Sequence, residues 1–232
     1  MTCQRVPVAP SPGFVRFLPI LGGYVMAVLA SAVTGGMGAA ASGDADGVVA
    51  LVAGQIGFWS ILIGVVVYAR AQFGVWVVGS TAAELRWTDV PVGLAIGALT
   101  QLVALPALYL PFRSLFDLSE MSAPADELLG DLGGGGLIVV GLGVVIIAPI
   151  VEELFFRGLL LRTMRAQWGT ATAVLGSSII FGATHFQPLQ FAGLTLAGLI
   201  FAGATVRTGR LGSAIAVHVG FNATTFAALV LL

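Results

Sequence analysis

The sequence predicts an all-α fold, a polytopic bundle of transmembrane helices, and two observations carry that reading. Of 232 residues, 58% are hydrophobic and only 9% are charged, whereas a soluble domain carries about 25% charged residues. So few charges cannot cover a globular surface in water. The apolar residues are also gathered into runs, and a helix needs about 20 of them to cross the hydrocarbon core of a bilayer. Glycine, at 32 residues, suits helices that approach one another closely in lipid.

Seven runs are candidate spans. They cover Phe17 to Ala40, Gly47 to Tyr68, Val90 to Leu110, Leu137 to Leu161 with Pro149 inside it, Ala171 to Phe186, Leu189 to Val206, and Gly212 to Leu231. The stretch from Phe73 to Val78 is too short to span and reads as interfacial, with Trp76 and Trp87 as aromatic anchors. The run from Gly133 to Gly136 reads as a flexible linker into the fourth span. Residues 1–132 are expected to be scaffold, with spans one to three, and residues 133–232 to form the working core, with spans four to seven. The whole is one membrane domain.

Orientation follows from the arginines. With the N-terminus in the cytoplasm, Arg5, Arg16, Arg70, Arg86, Arg162, Arg165, Arg207 and Arg210 all fall inside. The outer loops hold Arg113 and the acidic Asp44, Asp46, Asp117, Glu120, Asp126, Glu127 and Asp131. Arginine asymmetry of this kind sets topology. The expected location is a cell membrane, crossed many times. Arg16 before the first run and Ala39, Ala40 and Ala41 after it resemble a cleavable signal segment. The run is long for one, so it is expected to stay as an anchor; cleavage would leave six spans. A net charge of −1 gives no reason to expect nucleic-acid binding, and Cys3, the single cysteine, forms no internal disulfide. The expected partners are the bilayer and a peptide or membrane-protein substrate, and the sequence fixes no oligomeric state.

The chemistry concentrates after Pro149. Ionisable groups inside a membrane cost about 2.5–3.5 kcal/mol each to insert and mark function. Glu152 and Glu153 sit side by side in the fourth span, His185 ends the fifth, and His218 lies in the seventh with Asn222 one turn later. Glu153 and Arg157, at i and i+4, can pair, which turns Glu152 onto another face. Phe181 shares a face with His185. On the seventh span Gly212, Ala216, Gly220, Thr224 and Ala228 form a small-residue packing seam, and His218, Asn222 and Thr225 lie on a different face. Read one at a time, these polar residues also fit glutamates snorkelling to the interface, an interfacial histidine and a hydrogen-bonded pair gluing helices.

Together they resemble the CPBP family, the CAAX prenyl protease and bacteriocin-processing, Abi-like intramembrane endopeptidases. The resemblance rests on Glu152-Glu153-x-x-x-Arg157, Phe181-x-x-x-His185 and His218-x-x-x-Asn222, in that order. Ala148-Pro149, Gly158 and Arg207-Thr208-Gly209 flank these motifs as in the family. It extends from about Leu137 to Phe226. It implies a glutamate-type protease with no cofactor, in which Glu152 activates water and His185 helps to hold it. His218 and Asn222 would stabilise the oxyanion, with Glu153, Arg157 and Phe181 supporting the site.

The residue types suit that chemistry, because peptide hydrolysis needs a base, a water and donors for the developing charge. Ser177 and Ser178 read as packing residues rather than nucleophiles. Three other readings use the same residues. A metal-dependent membrane protease would use the histidines and glutamates as ligands for zinc or another divalent metal, although the His-Glu-x-x-His spacing is absent. A proton-coupled transporter would use them as a relay, although no inverted repeat is visible. A catalytically silent bacteriocin-immunity or scaffold protein would not need the motif set intact. Depth adds a requirement. His185 lies ~22 Å along its helix from Thr170 and His218 only ~12 Å from Arg210. The fifth helix must therefore tilt or start lower for the two to meet, at a cavity open to the cytoplasm or sideways to lipid.

Overall fold

The structure, a computed structural model, describes residues 13–45, 47–73, 85–113 and 132–231, and every regular element among them is helical. Helix α1 is Gly13–Ser42 and α2 is Val48–Phe73. Helix α3 is Asp89–Phe112, and a helical run follows over Gly134–Ala183. Helix α6 is Phe191–Thr208 and α7 is Leu211–Leu231. By length and composition six helices can cross a membrane, one of them the run of 50 residues from Gly134 to Ala183. The chain is a multi-pass membrane protein.

That long run is not one span. Gly169 has φ 82° and ψ 172°, a backbone shape that favours glycine because a Cβ would clash there. A straight helix would hold Phe156 and Phe181 ~37 Å apart, yet their ring centroids are 5.1 Å apart. The run therefore folds back at Gly169 into two arms, α4 (134–168) and α5 (170–183), which correspond to the expected fourth and fifth spans. The other expected boundaries move by a few residues, and Gly134–Gly136, expected in a flexible linker, instead form the first turn of α4 with Gly133 before it. The interfacial positions 74–78 with Trp76, the residues Cys3, Arg5 and Asp46, and the loop acids Asp117, Glu120, Asp126, Glu127 and Asp131 lie outside the described residues.

Pairs of helices close on small residues. Helix α1 lies along α2, α3 along α7, and α5 along α6, with α4 in the middle against α2, α5 and α7. Two members of the seam expected on α7 pack on α3: Gly220 faces the backbone of Leu94 and Ala216 faces Gly93. Gly97 is the tightest point, since a Cβ there would collide with the backbone of Val217, Gly220 and Phe221. Two helix starts are tied to neighbouring turns. Arg210, in the α6–α7 turn, donates to Asp89 at the start of α3 at 2.8 Å. Phe17 near the start of α1 meets Trp168 at the α4–α5 turn, centroids 5.6 Å apart.

The interior combines aromatic rings with charge. Phe155, Phe156, Leu159, Leu160, Phe181, Ala197, Phe201 and Val217 are buried in one cluster. Arg157 is among the largest fully buried side chains, with Glu153 buried beside it. Most large side chains that remain exposed are apolar, such as Val33, Met37 and Leu102, as expected of surfaces bathed in lipid.

Candidate functional site

Helix α4 positions the carboxylates by departing from regular helix. Residues Gly143–Ile147 form a π-helical turn in which the amide of Ala148 reaches back five residues to the carbonyl of Gly143. The next amide in that register belongs to Pro149 and carries no hydrogen. Asn222 fills the gap from α7, its Nδ2 donating to the carbonyl of Val144 at 2.8 Å. A second π-helical stretch, Leu154–Leu160, follows the glutamates. Between the two lies the short α-helical segment Ala148–Glu153, so Glu152 and Glu153 are presented between irregular turns, where π-bulges are often found at functional sites.

The two glutamates face different surroundings. Glu153 is fully buried and receives Arg157 Nη1 at 2.9 Å. The second guanidinium nitrogen, Nη2, donates to the carbonyl of Gly198 on α6 at 3.0 Å. The guanidinium carbon lies 4.5 Å from the centroid of Phe181 and 5.3 Å from that of Phe201, so aromatic faces take up part of the charge. Glu152 points the other way, into a cavity of about 450 Å³ that is also lined by Tyr24, Gln55, Phe58, Thr184 and His185.

His218 joins the two carboxylates. Its Nδ1 is 3.0 Å from Glu153 Oε1, and its Nε2 is 3.9 Å from Glu152 Oε2. A carboxylate oxygen held by an arginine accepts, so Nδ1 carries the proton and Nε2 faces Glu152. The separation on that side exceeds a direct hydrogen bond and leaves place for a bridging water. Phe201 fixes the ring by stacking on it, centroids 4.4 Å apart and planes at 22°.

His185 is held in the same manner. Its Nδ1 donates to the carbonyl of Phe181 at 2.7 Å, because a carbonyl only accepts, and Nε2 is again left free of that bond. Phe181 touches both histidines edge-on, at 4.8 Å for His185 and 5.7 Å for His218. Phe181 lies ~16 Å along α5 from Thr170, and His218 ~10 Å along α7 from Leu211. Their contact therefore requires α5 to start lower or tilt, as the depth mismatch demanded.

The structure thus brings Glu152, Glu153, Arg157, Phe181, His185 and His218 together. Asn222 stands one turn from His218, but its amide is engaged with the α4 backbone. Ser177 and Ser178 are buried and bonded to the carbonyl of Val174, the packing expected of them. Among the described residues no group of three or more His, Cys, Asp or Glu side chains is arranged to hold a metal ion.

Sequence reasoning missed the wall opposite Glu152. Tyr24 on α1 donates its hydroxyl to the carbonyl of Thr184 at 3.0 Å, next to His185, and packs against Phe155 and Phe156. Gln55 on α2 lines the same cavity. The available signals were a tyrosine far from the span ends and a glutamine inside an apolar run.

Three comparisons bear on this arrangement. Residues 134–224 match the family model described as type II CAAX prenyl endopeptidase Rce1-like. An Escherichia coli protein described as an uncharacterized 24.3 kDa protein is 34% identical over 108 residues, which cover 44% of this chain. The matched part is 49% of that relative's length, so the chain spans about half of it. No solved structure matches the chain. The match over residues 134–224 takes in Glu152, Glu153, Arg157, Phe181, His185, His218 and Asn222.

Proposed function

We propose that the chain is an intramembrane endopeptidase that hydrolyses a peptide bond with a water activated by Glu152. The observation that carries the reading is the approach of His218 Nε2 to Glu152 Oε2, 3.9 Å apart, at a cavity that His185 also lines. The family match over residues 134–224 supports the same reaction class.

In this reading Glu152 takes one proton from the water as its oxygen bonds to the substrate's carbonyl carbon. The carbonyl oxygen becomes an oxyanion, stabilised by the second N–H of Asn222 and, in the form of His218 that carries a proton on both nitrogens, by its Nε2–H. The C–N bond then breaks, the proton passes from Glu152 to the leaving amine, and the products are a carboxylic acid and an amine, which exchange a proton to become a carboxylate and an ammonium. His185 helps to hold the water. Glu153 and Arg157 are positioning residues that hold Nδ1 of His218 and so orient its ring with Nε2 toward Glu152. The substrate class is a peptide or membrane protein reaching the cavity from lipid or the adjoining aqueous side.

The test uses purified full-length protein in detergent and a quenched fluorescent farnesylated CAAX peptide. Glu152→Gln should lower the cleavage rate on the order of a thousandfold while leaving far-UV circular dichroism unchanged. Retention of the rate within a few-fold would overturn the assignment of Glu152. Dialysis against 1,10-phenanthroline should leave the rate as it was. Loss reversed by added zinc would replace this mechanism with a metal-dependent one.

A further inference from the structure

Helix α5 ends just before His185, and the way it ends is unusual. Phe186 is the single non-glycine residue with positive φ among the described residues, at 55°. A bulky side chain is disfavoured there because its Cβ approaches the backbone, and glycine or asparagine would adopt the shape more easily. The ring does not repay the strain by burial, for Phe186 is 75% exposed. Nor is a phenylalanine needed to close the turn. The helix end is satisfied by other groups: Thr184 Oγ1 and His185 Nδ1 both donate to Phe181 O, and Tyr24 caps the carbonyl of Thr184.

The remaining property of the ring is its place. Phe186 lines the Glu152 cavity, together with Phe58, Val28 and Phe156, and the polar groups of Tyr24, Ser31 and Gln55 face the same space. An outlier kept at a site of chemistry is reason to look for function there. We infer that Phe186 is a specificity-determining residue of the cavity and contacts an apolar side chain of the bound peptide beside the bond to be cut. This rests on the hydrolytic reading of Glu152 for its meaning, but not for its measurement. Phe58 provides a second apolar contact, and Tyr24, Ser31 and Gln55 are hydrogen-bonding partners for the peptide backbone.

The experiment uses full-length protein in nanodiscs and two dansylated peptides of equal length, one with leucine and one with alanine at the central position. Binding is read on Glu152→Gln, so that turnover does not interfere, and cleavage is read on the protein with Glu152 intact. With Phe186 present, the leucine peptide should bind about tenfold more tightly, the size of one apolar contact in a pocket. Phe186→Gly and Phe186→Asn, each of which accepts positive φ, should bring the two affinities within about twofold. Neither should lower the thermal midpoint. Unchanged discrimination in both variants overturns the proposal. So does a lowered midpoint in both with unaltered binding, or no binding of either peptide by the parent. The arms separate this proposal from the one it rests on. Discrimination lost as expected, with neither peptide cleaved, retains the subsite and removes the protease reading. Cleavage that ignores residue 186 does the reverse.

Discussion

Replacing Arg157 with methionine is the most demanding test of how the site is held. Arg157 and Glu153 are both fully buried and joined at 2.9 Å, and Arg157 also serves the carbonyl of Gly198 at 3.0 Å. Removing one partner of a buried pair costs about 3–5 kcal/mol, because the other charge is left uncompensated. An orphaned carbonyl adds about 1–3 kcal/mol in water-soluble proteins. Interhelical hydrogen bonds in membrane proteins average nearer 0.6 kcal/mol, so the low end applies, and the expected loss is about 3–4 kcal/mol. Methionine approximates the volume of the stem, which limits the cavity contribution. Reversible unfolding in mixed micelles, titrated with dodecyl sulfate and followed by tryptophan fluorescence, reads the loss. The double variant Glu153→Leu with Arg157→Met removes both charges and should recover at least about 2 kcal/mol. It should still be inactive, since Nδ1 of His218 loses its acceptor. A single-variant loss under about 1 kcal/mol, with the double variant no better, would refute the view that this pair is a desolvated structural charge.

Gly97→Val should prevent α3 from seating on α7 and lower stability by about 3 kcal/mol, whereas Gly64→Ala, with nothing within 4 Å of the added carbon, should be neutral in the same titration. Tyr24→Phe removes the cap on Thr184 and should cost about 1 kcal/mol, with a several-fold fall in kcat/KM read on the farnesylated peptide. Asn222→Ala should cost about 1 kcal/mol by freeing the carbonyl of Val144, and Asn222→Gln should restore part of it if the amide is the active group. Arg210→Met, which breaks the pair with Asp89, should lower stability in the same titration, and by less at high salt than at low salt.

The membrane bundle was legible because lipid imposes a coarse rule, about 20 apolar residues per crossing, and the chain obeys it. The Glu153–Arg157 pair was legible because four residues is one helical turn, and so was the α7 seam, because Gly220 and Ala216 repeat on one face. The fold-back was legible as well, because Arg162 and Arg165 part the apolar runs that end at Leu161 and begin at Ala171. Its pivot was not, since the backbone angle at Gly169 is one that its neighbours Trp168 and Thr170 do not announce. Tyr24 and Gln55 were missed for a related reason. A span without charge reads as scaffold, yet α1 and α2 supply one wall of the Glu152 cavity, and which wall they supply depends on packing that no local pattern encodes. Phe186 carried no sequence signal, since positive φ is a property of the folded turn.

Pro149 shows why the site needs two distant helices. A proline inside a span removes a backbone donor, and lipid provides none in exchange. The chain shifts register over Gly143–Ile147, and the carbonyl of Val144 meets Asn222 from α7. The same helix, one turn earlier, presents His218 to Glu153 at 3.0 Å. Helix α7 is therefore fixed to α4 twice, once on each side of Pro149, by a hydrogen bond to the backbone and by one between side chains. The seating of α7 is in turn set by α3, through Gly93 and Gly97. A disturbance at Gly97, far from Glu152 in sequence, should consequently move His218 against Glu152. Small substitutions at Gly97 that leave the bundle folded should lower kcat more than stability. Equal effects on both would show that α3 supports the fold without setting the geometry of the site.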